Sequence, residues 1–151
     1  MKNNKIKVMV SACLLGENCR YDGKNSYNEK VISLKERFEL VPICPETLGK
    51  LKTPRSPSEI KAGRAINKEG IDVTDNYLNG AKKALKIAKD GDFKVAILKS
   101  KSPACGKGQI YDGSFSNKLI SADGICVKLF KENDIDVYSE LEIDTFLNKY
   151  F

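Results

Sequence analysis

Ile6-Lys7-Val8-Met9-Val10, followed at once by Ser11-Ala12-Cys13, is a short apolar run that reads as a buried strand delivering a thiol. The pattern recurs. Glu39-Leu40-Val41-Pro42-Ile43 leads into Cys44, and Lys94-Val95-Ala96-Ile97-Leu98 leads, through a polar and turn-rich stretch, to Cys105. In an open parallel sheet the carboxyl ends of the strands share one rim, where ligands bind, so thiols far apart in sequence can meet there. Three converging thiols suggest a metal site. They contain no close CxxC pair, which argues against a zinc knuckle and for a site assembled by the tertiary fold. A three-thiolate site also leaves a metal position open for chemistry.

Outward from these runs the chain alternates strand, helix, strand, long loop, helix, strand, loop, helix, strand, helix. Asp22-Gly23 is a turn signal, after which Val31, Leu34 and Phe38 fall on one helical face. Leu78, Ala81, Leu85 and Ala88 predict an amphipathic helix that stops at Asp90-Gly91. Ile125, Cys126, Leu129 and Phe130 mark another helix, Ile135 to Tyr138 a short strand, and Ile143 to Leu147 a closing helix. This alternation predicts an α/β fold: a single-domain, doubly wound, three-layer Rossmann-like sandwich with a mostly parallel sheet, spanning residues 1–151. Between Cys44 and Val73 lie Pro45, Pro54, Pro57, Gly49, Gly63 and Gly70 with little periodicity. So long a connection in a small domain is usually functional, and residues 45–73 are expected to form an active-site lid. Within it Ser56-Pro57-Ser58-Glu59 fits the start of a helix of a turn or two. Tyr-Asp-Gly occurs at 21–23 and again at 111–113, which reads as two turns rather than a duplication.

Composition excludes several chemistries. At 151 residues the chain suits one domain with a single core. It contains no histidine, which removes Cys-His and Ser-His pairs, Cys2His2 zinc sites and the facial triad. Proton transfer must then use Glu, Asp, Lys, Tyr, Cys or water. No apolar run approaches a membrane span, and Met1 to Lys7 lack a signal-peptide core, so a cytoplasmic location is expected. There five cysteines stay reduced, and metal binding or catalysis outranks a disulfide framework. The net charge of +6 arises from 22 lysines against 4 arginines, spread along the chain. That is a solvated surface or a nucleic-acid face.

Each candidate has a plain alternative. Cys13 could be a small buried apolar residue. Glu46, two residues past Cys44, suits acid–base work at the rim or simple solvation. Lys99-Ser100-Lys101-Ser102-Pro103-Ala104-Cys105-Gly106 offers hydroxyls that can donate protons and lysines that offset an anionic cluster. Cys126 lies on the apolar stripe of a helix and reads as core. Cys19 stays open between fourth ligand, catalytic thiol and bystander.

The segments Ser11 to Gly23, Cys44-Pro45-Glu46 with Pro54-Arg55-Ser56-Pro57, Asp72-Val73-Thr74, and Ser102-Pro103-Ala104-Cys105-Gly106 together resemble the thiouracil desulfidase (TudS) family, from about residue 6 to residue 139. The resemblance implies an oxygen-sensitive 4Fe-4S cluster held by Cys13, Cys44 and Cys105, with one iron free to take substrate sulfur. Glu46 and Ser102 stand where the family has its catalytic carboxylate and hydroxyl. Substrate contacts are expected from Ser11, Arg55 and Ser100. The implied activity is non-redox removal of sulfur from a small-molecule thiopyrimidine of the thiouracil or 4-thiouridine monophosphate class, giving the oxo-pyrimidine and sulfide. The chain departs from the family at Ala104, where serine is frequent, and at Lys50, where a second glycine commonly follows Gly49. Lys50, Lys52, Arg55 and Arg64 make the lid basic, so Arg55 could grip a substrate phosphate or merely tether the lid to a carboxylate or to backbone carbonyls. Two other readings stay open: a nucleic-acid-binding or thiolated-RNA-processing module, whose binding would fall steeply with salt, and a structural zinc-thiolate domain.

Overall fold

The computed structural model describes residues 5–151. The expectation drawn from Met1 to Lys7 rests partly on residues 1–4, which lie outside the described residues. Four parallel strands, β1 (Ile6–Ser11), β2 (Phe38–Ile43), β5 (Val95–Leu98) and β8 (Asp136–Ser139), form the main sheet in the order β2-β1-β5-β8. The inner strands are covered on both faces: Val8, Met9 and Val10 of β1 and all four residues of β5 are buried.

Alternation divides these residues between two apolar layers. Met9, Ala96 and Leu98 pack under α3 (Thr74–Asp90) and α4 (Ile125–Glu132). Val8, Val10, Val95 and Ile97 face Val31, Leu34, Phe38 and the Phe146 of α5 (Ile143–Tyr150). The result is the doubly wound three-layer sandwich expected. The chain leaves β1 for β2 on one side and returns to β5 on the other, so the switch point lies between the carboxyl ends of β1 and β5. There the Lys99 backbone N–H donates to Ser11 Oγ at 2.8 Å, pinning the two strand ends together.

Local details differ from expectation. Val31 and Leu34 occupy a short α1 (Glu29–Ile32) and the 3-10 turn after it, whereas Phe38 opens β2. The buried face of α3 is Tyr77, Ala81, Ala84 and Ala88; Leu78 is exposed and Leu85 only packs at the margin. Small residues were chosen because the helix approaches its neighbours closely. Ser56-Pro57-Ser58-Glu59 starts no helix. Ser58–Lys61 (β3) and Arg64–Asn67 (β4) form a hairpin, because Ala62 and Gly63 both take left-handed φ values, 50° and 78°, as a two-residue turn requires. Ile60 and Ala65 pair across it and turn into the core.

The expected lid segment is therefore structured. It begins with α2 (Pro45–Leu48), closed by the two backbone bonds of a Schellman motif: Lys50 N–H to Thr47 O at 3.0 Å and Leu51 N–H to Glu46 O at 3.1 Å. Lys50 sits at the left-handed position, φ 67°, where glycine is normally favoured. Helix α2 lies backbone to backbone on α3, since a Cβ at Gly80 would fall 1.8 Å from Pro45 O and one at Gly49 2.0 Å from Asn76 O. Asn76 Nδ2 completes the junction by donating to Gly49 O at 2.8 Å. A second pair of short strands, β6 (Ile110–Tyr111) and β7 (Leu119–Ile120), follows the Cys105 loop.

Candidate active site

A cavity of about 410 Å³ opens at the carboxyl ends of β1, β2 and β5, within the size range of small-molecule sites. Its floor is buried and its mouth is not. Ser11, Cys13, Ile43 and Cys105 lie below, while Lys68, Lys101 and Asn117 stand exposed at the rim. The three strand-end thiols thus share one cavity. Cys13 rides the 3-10 turn that continues β1, Cys44 is the residue before α2, and Cys105 follows the turn after β5.

Cys19 borders the same cavity, its backbone carbonyl accepting a long bond from the Cys44 thiol at 4.0 Å, and its neighbouring thiol is the largest influence holding Cys13 and Cys44 down. Cys44 is lowered to about 6, with further help from Thr47. Cys19 itself is held firmly protonated by the same two thiols. Burial pushes the Cys105 thiol up, and the nearby Cys126 adds to this. Cys126 is fully buried in α4, is pushed up to about 12 by burial, and does not line the cavity, as a core residue should be. All five cysteines are free thiols.

Glu46 follows Cys44 by two residues on α2. Arg55 Nε at 3.1 Å and a terminal guanidinium nitrogen at 3.0 Å both meet its Oε1, in a pair whose side chains are only 9% and 16% exposed. The remaining Arg55 donors reach Lys52 O, Thr53 Oγ1 and Cys19 O, at 2.9 to 3.0 Å. The tether, of the two roles considered for Arg55, describes these contacts. Lys50, Lys52 and Arg64 do not line the cavity, and Arg64 pairs with Asp72 on the surface. The cations that do line it are Arg20, Arg55, Lys68, Lys99 and Lys101.

Ser102 lies at the cavity wall, and its Oγ accepts the backbone N–H groups of Ala104 at 3.1 Å and Cys105 at 3.0 Å. It therefore orders the turn that presents Cys105. Ser100 also lines the cavity, but its hydroxyl donates to Glu140 Oε2 and its N–H to Oε1, both at 2.8 Å. Ser11 Oγ is engaged by Lys99 and borders Cys105.

Sequence reasoning missed several lining residues. Tyr77, nearly fully buried on α3, turns its hydroxyl toward Ser58 and Glu46; burial first, and then the Glu46 charge, keep it protonated. It stands next to the stripe of Leu78, Ala81, Leu85 and Ala88 read from the sequence, and that pattern did not single it out. Tyr21 and Tyr111 both line the mouth, so the repeated Tyr-Asp-Gly turns meet at the site. Phe115 and Asn117 come from the β6–β7 connection, and no periodic signal in that stretch pointed to a cavity.

Donor chemistry allows one test of a metal group. Among the described residues no three Cys, Asp or Glu side chains converge tightly enough to hold a single metal ion. The thiols of Cys13, Cys44 and Cys105 instead border one cavity, as suits a larger inorganic body held by thiolates, and the lining cations suit the negative charge such a body carries with its thiolate ligands. Fold and site together define a parallel α/β protein with a thiol-ringed cavity at its switch point.

The chain matches the family model described as 2-thiouracil desulfurase over residues 8–142, and it belongs to that family. The Bacillus subtilis (strain 168) protein YbbK is 39% identical over 150 residues, covering 93% of this chain and 99% of that protein. Among solved structures, the [4Fe-4S]-dependent thiouracil desulfidase TudS is similar with a TM-score of 0.88 and 35% identity, over 93% of this chain and 95% of that one. No helix among the described residues is long and apolar enough to cross a membrane.

Proposed function

We propose that this protein is an iron–sulfur-dependent desulfidase that replaces the sulfur of a thiouracil-type pyrimidine by oxygen, releasing sulfide without net redox change. The observation that carries this reading is the meeting of Cys13, Cys44 and Cys105 with Glu46 and Ser102 around one cavity in a chain of this family. Cys13, Cys44 and Cys105 would hold the 4Fe-4S cluster, their thiols giving up protons as metal ligands must. When bound, the cluster would supply Lewis-acid polarisation of the thiocarbonyl.

The chain supplies the rest. Arg55 fixes Glu46 through Oε1 and leaves the second carboxylate oxygen unheld by the guanidinium, able to activate water or attack the thiocarbonyl carbon. Ser102 accepts two N–H bonds, which polarise its hydroxyl and leave its own proton to pass to the ring nitrogen. Ser11 and Ser100 shape the wall through Lys99 and Glu140. Arg55 acts on the substrate through Glu46. The hairpin segment of residues 45–73 serves as the lid, and the chain works as one unit in the cytoplasm, where free thiols persist. Cys19 lowers the thiols of Cys13 and Cys44, whereas burial raises that of Cys105.

The test is anaerobic incubation of cluster-loaded protein with 2-thiouracil in the absence of any reductant. Uracil and sulfide in equal amounts support the reading; intact 2-thiouracil, or a requirement for an electron donor, overturns it.

A further inference from the structure

The loop between β6 and β7 is tightly built for a segment at a cavity mouth. Phe115 holds a left-handed backbone angle, φ 54°, which costs a bulky residue stability and persists only where surroundings enforce it, while Asn117, φ 62°, takes the same region that asparagine readily tolerates. The surroundings are on the neighbouring hairpin. Glu59 of β3 accepts the N–H of Gly113 at 3.0 Å and of Phe115 at 3.1 Å on the same Oε1. Gly113 presses on β3 so closely that a Cβ there would lie 2.6 Å from Lys61 Cβ. Asp112 closes the loop, its Oδ1 accepting Ser114 N–H at 2.9 Å and its N–H donating to Lys118 O at 3.0 Å. The outcome is a half-buried phenyl ring, Phe115, set into the mouth above a floor of thiols.

We infer that Phe115 is the stacking wall for the pyrimidine ring and that Glu59 is the positioning residue that aims it. This rests on the desulfidase reading above. A thiopyrimidine anchored at one end by its sulfur can still pivot about that anchor. A fixed aromatic face removes the pivot and favours a planar, conjugated ring over a saturated one. The strain at Phe115 then has a use: the backbone that Glu59 holds is the one that lines the cavity with this side chain.

The measurement is calorimetric binding of uracil and of 5,6-dihydrouracil to cluster-loaded protein. Neither ligand carries sulfur, so the stack is read apart from iron coordination and from turnover. Wild type should bind uracil about tenfold more tightly than dihydrouracil. Phe115→Ala should bring the ratio close to one, Phe115→Tyr should restore it, and Glu59→Ala should reduce it while speeding hydrogen exchange of the Gly113 and Phe115 amides. An unchanged ratio in Phe115→Ala, with 2-thiouracil still turned over by wild type, overturns this inference alone. Wild type that neither binds uracil nor consumes 2-thiouracil overturns the desulfidase reading and this inference with it.

Discussion

Ser102 carries two duties on one oxygen. Its Oγ orders the amides of Ala104 and Cys105, and its proton is the one proposed to move. Glu46→Gln should therefore retain iron yet lower turnover about a hundredfold or more, whereas Ser102→Ala should lower turnover as much and also loosen iron, because the Cys105 turn loses its two bonds. Cys13→Ser, Cys44→Ser and Cys105→Ser should lose iron and activity together, and Cys126→Ser should keep both. Iron content beside turnover checks the set; full iron in Cys44→Ser would remove that ligand assignment. Arg55 gives a second residue-scale prediction. Its donors are spent on Glu46, Lys52, Thr53 and Cys19, so Arg55→Lys should slow 2-thiouracil and 4-thio-UMP alike, by about tenfold, because an ammonium cannot reproduce the fork. A selective loss with the nucleotide would instead show a phosphate grip.

Helix α2 matters more than its four residues suggest, because it follows Cys44 and carries Glu46. Two backbone features place it. Lys50 occupies the left-handed position of its closing motif, so Lys50→Gly should stabilise the fold by up to about 1 kcal/mol in urea unfolding, and a loss of stability would contradict the motif's role. The departure at this position noted from sequence thereby acquires a physical meaning. Gly80→Ala should do the reverse: the added methyl meets Pro45 O, pushes α2 off α3, and should lower both the midpoint of unfolding and iron retention. The order of strands and long helices was legible in the sequence because Val8–Val10 of β1 and all of β5 are apolar and α3 is periodic. The hairpin β3–β4 was not, because Ser-Pro-x-Glu mimics a helix start and only the Ala62-Gly63 turn distinguishes it. The thiols were legible as strand-end residues. Tyr77 and Phe115 were not, since their roles depend on which elements fold over them rather than on local pattern.

At the scale of the molecule, the sheet joins two ends with different work. One end holds the cavity; the opposite layer is closed by Asp136 on β8, which accepts from Lys149 at 3.0 Å, Tyr138 at 2.9 Å and Tyr150 at 2.8 Å, tying α5 to the sheet. Burial alone would raise the Asp136 carboxyl, but these bonds outweigh it and hold it below its ordinary value. A depressed carboxylate stabilises the fold above its unfolded value near 4 and loses that contribution as pH falls through the folded value. Asp136→Asn should cost roughly 1–2 kcal/mol at pH 7, discounted for partial exposure, and progressively less as the pH is taken below the unfolded carboxyl value near 4. Denaturant titrations at neutral pH and below that value check this, and an equal cost at both would contradict it. The central claim concerns the other end, that a cluster seated on Cys13, Cys44 and Cys105 is what removes sulfur. Its most direct measurement is stepwise anaerobic loading of the cluster-free chain with iron and sulfide, with 2-thiouracil turnover followed at each step. Turnover should rise in proportion to a four-iron cluster per chain, the type of centre in the similar desulfidase, and level off when loading is complete. Full turnover in iron-free protein, or none in protein carrying the complete cluster, would contradict the account.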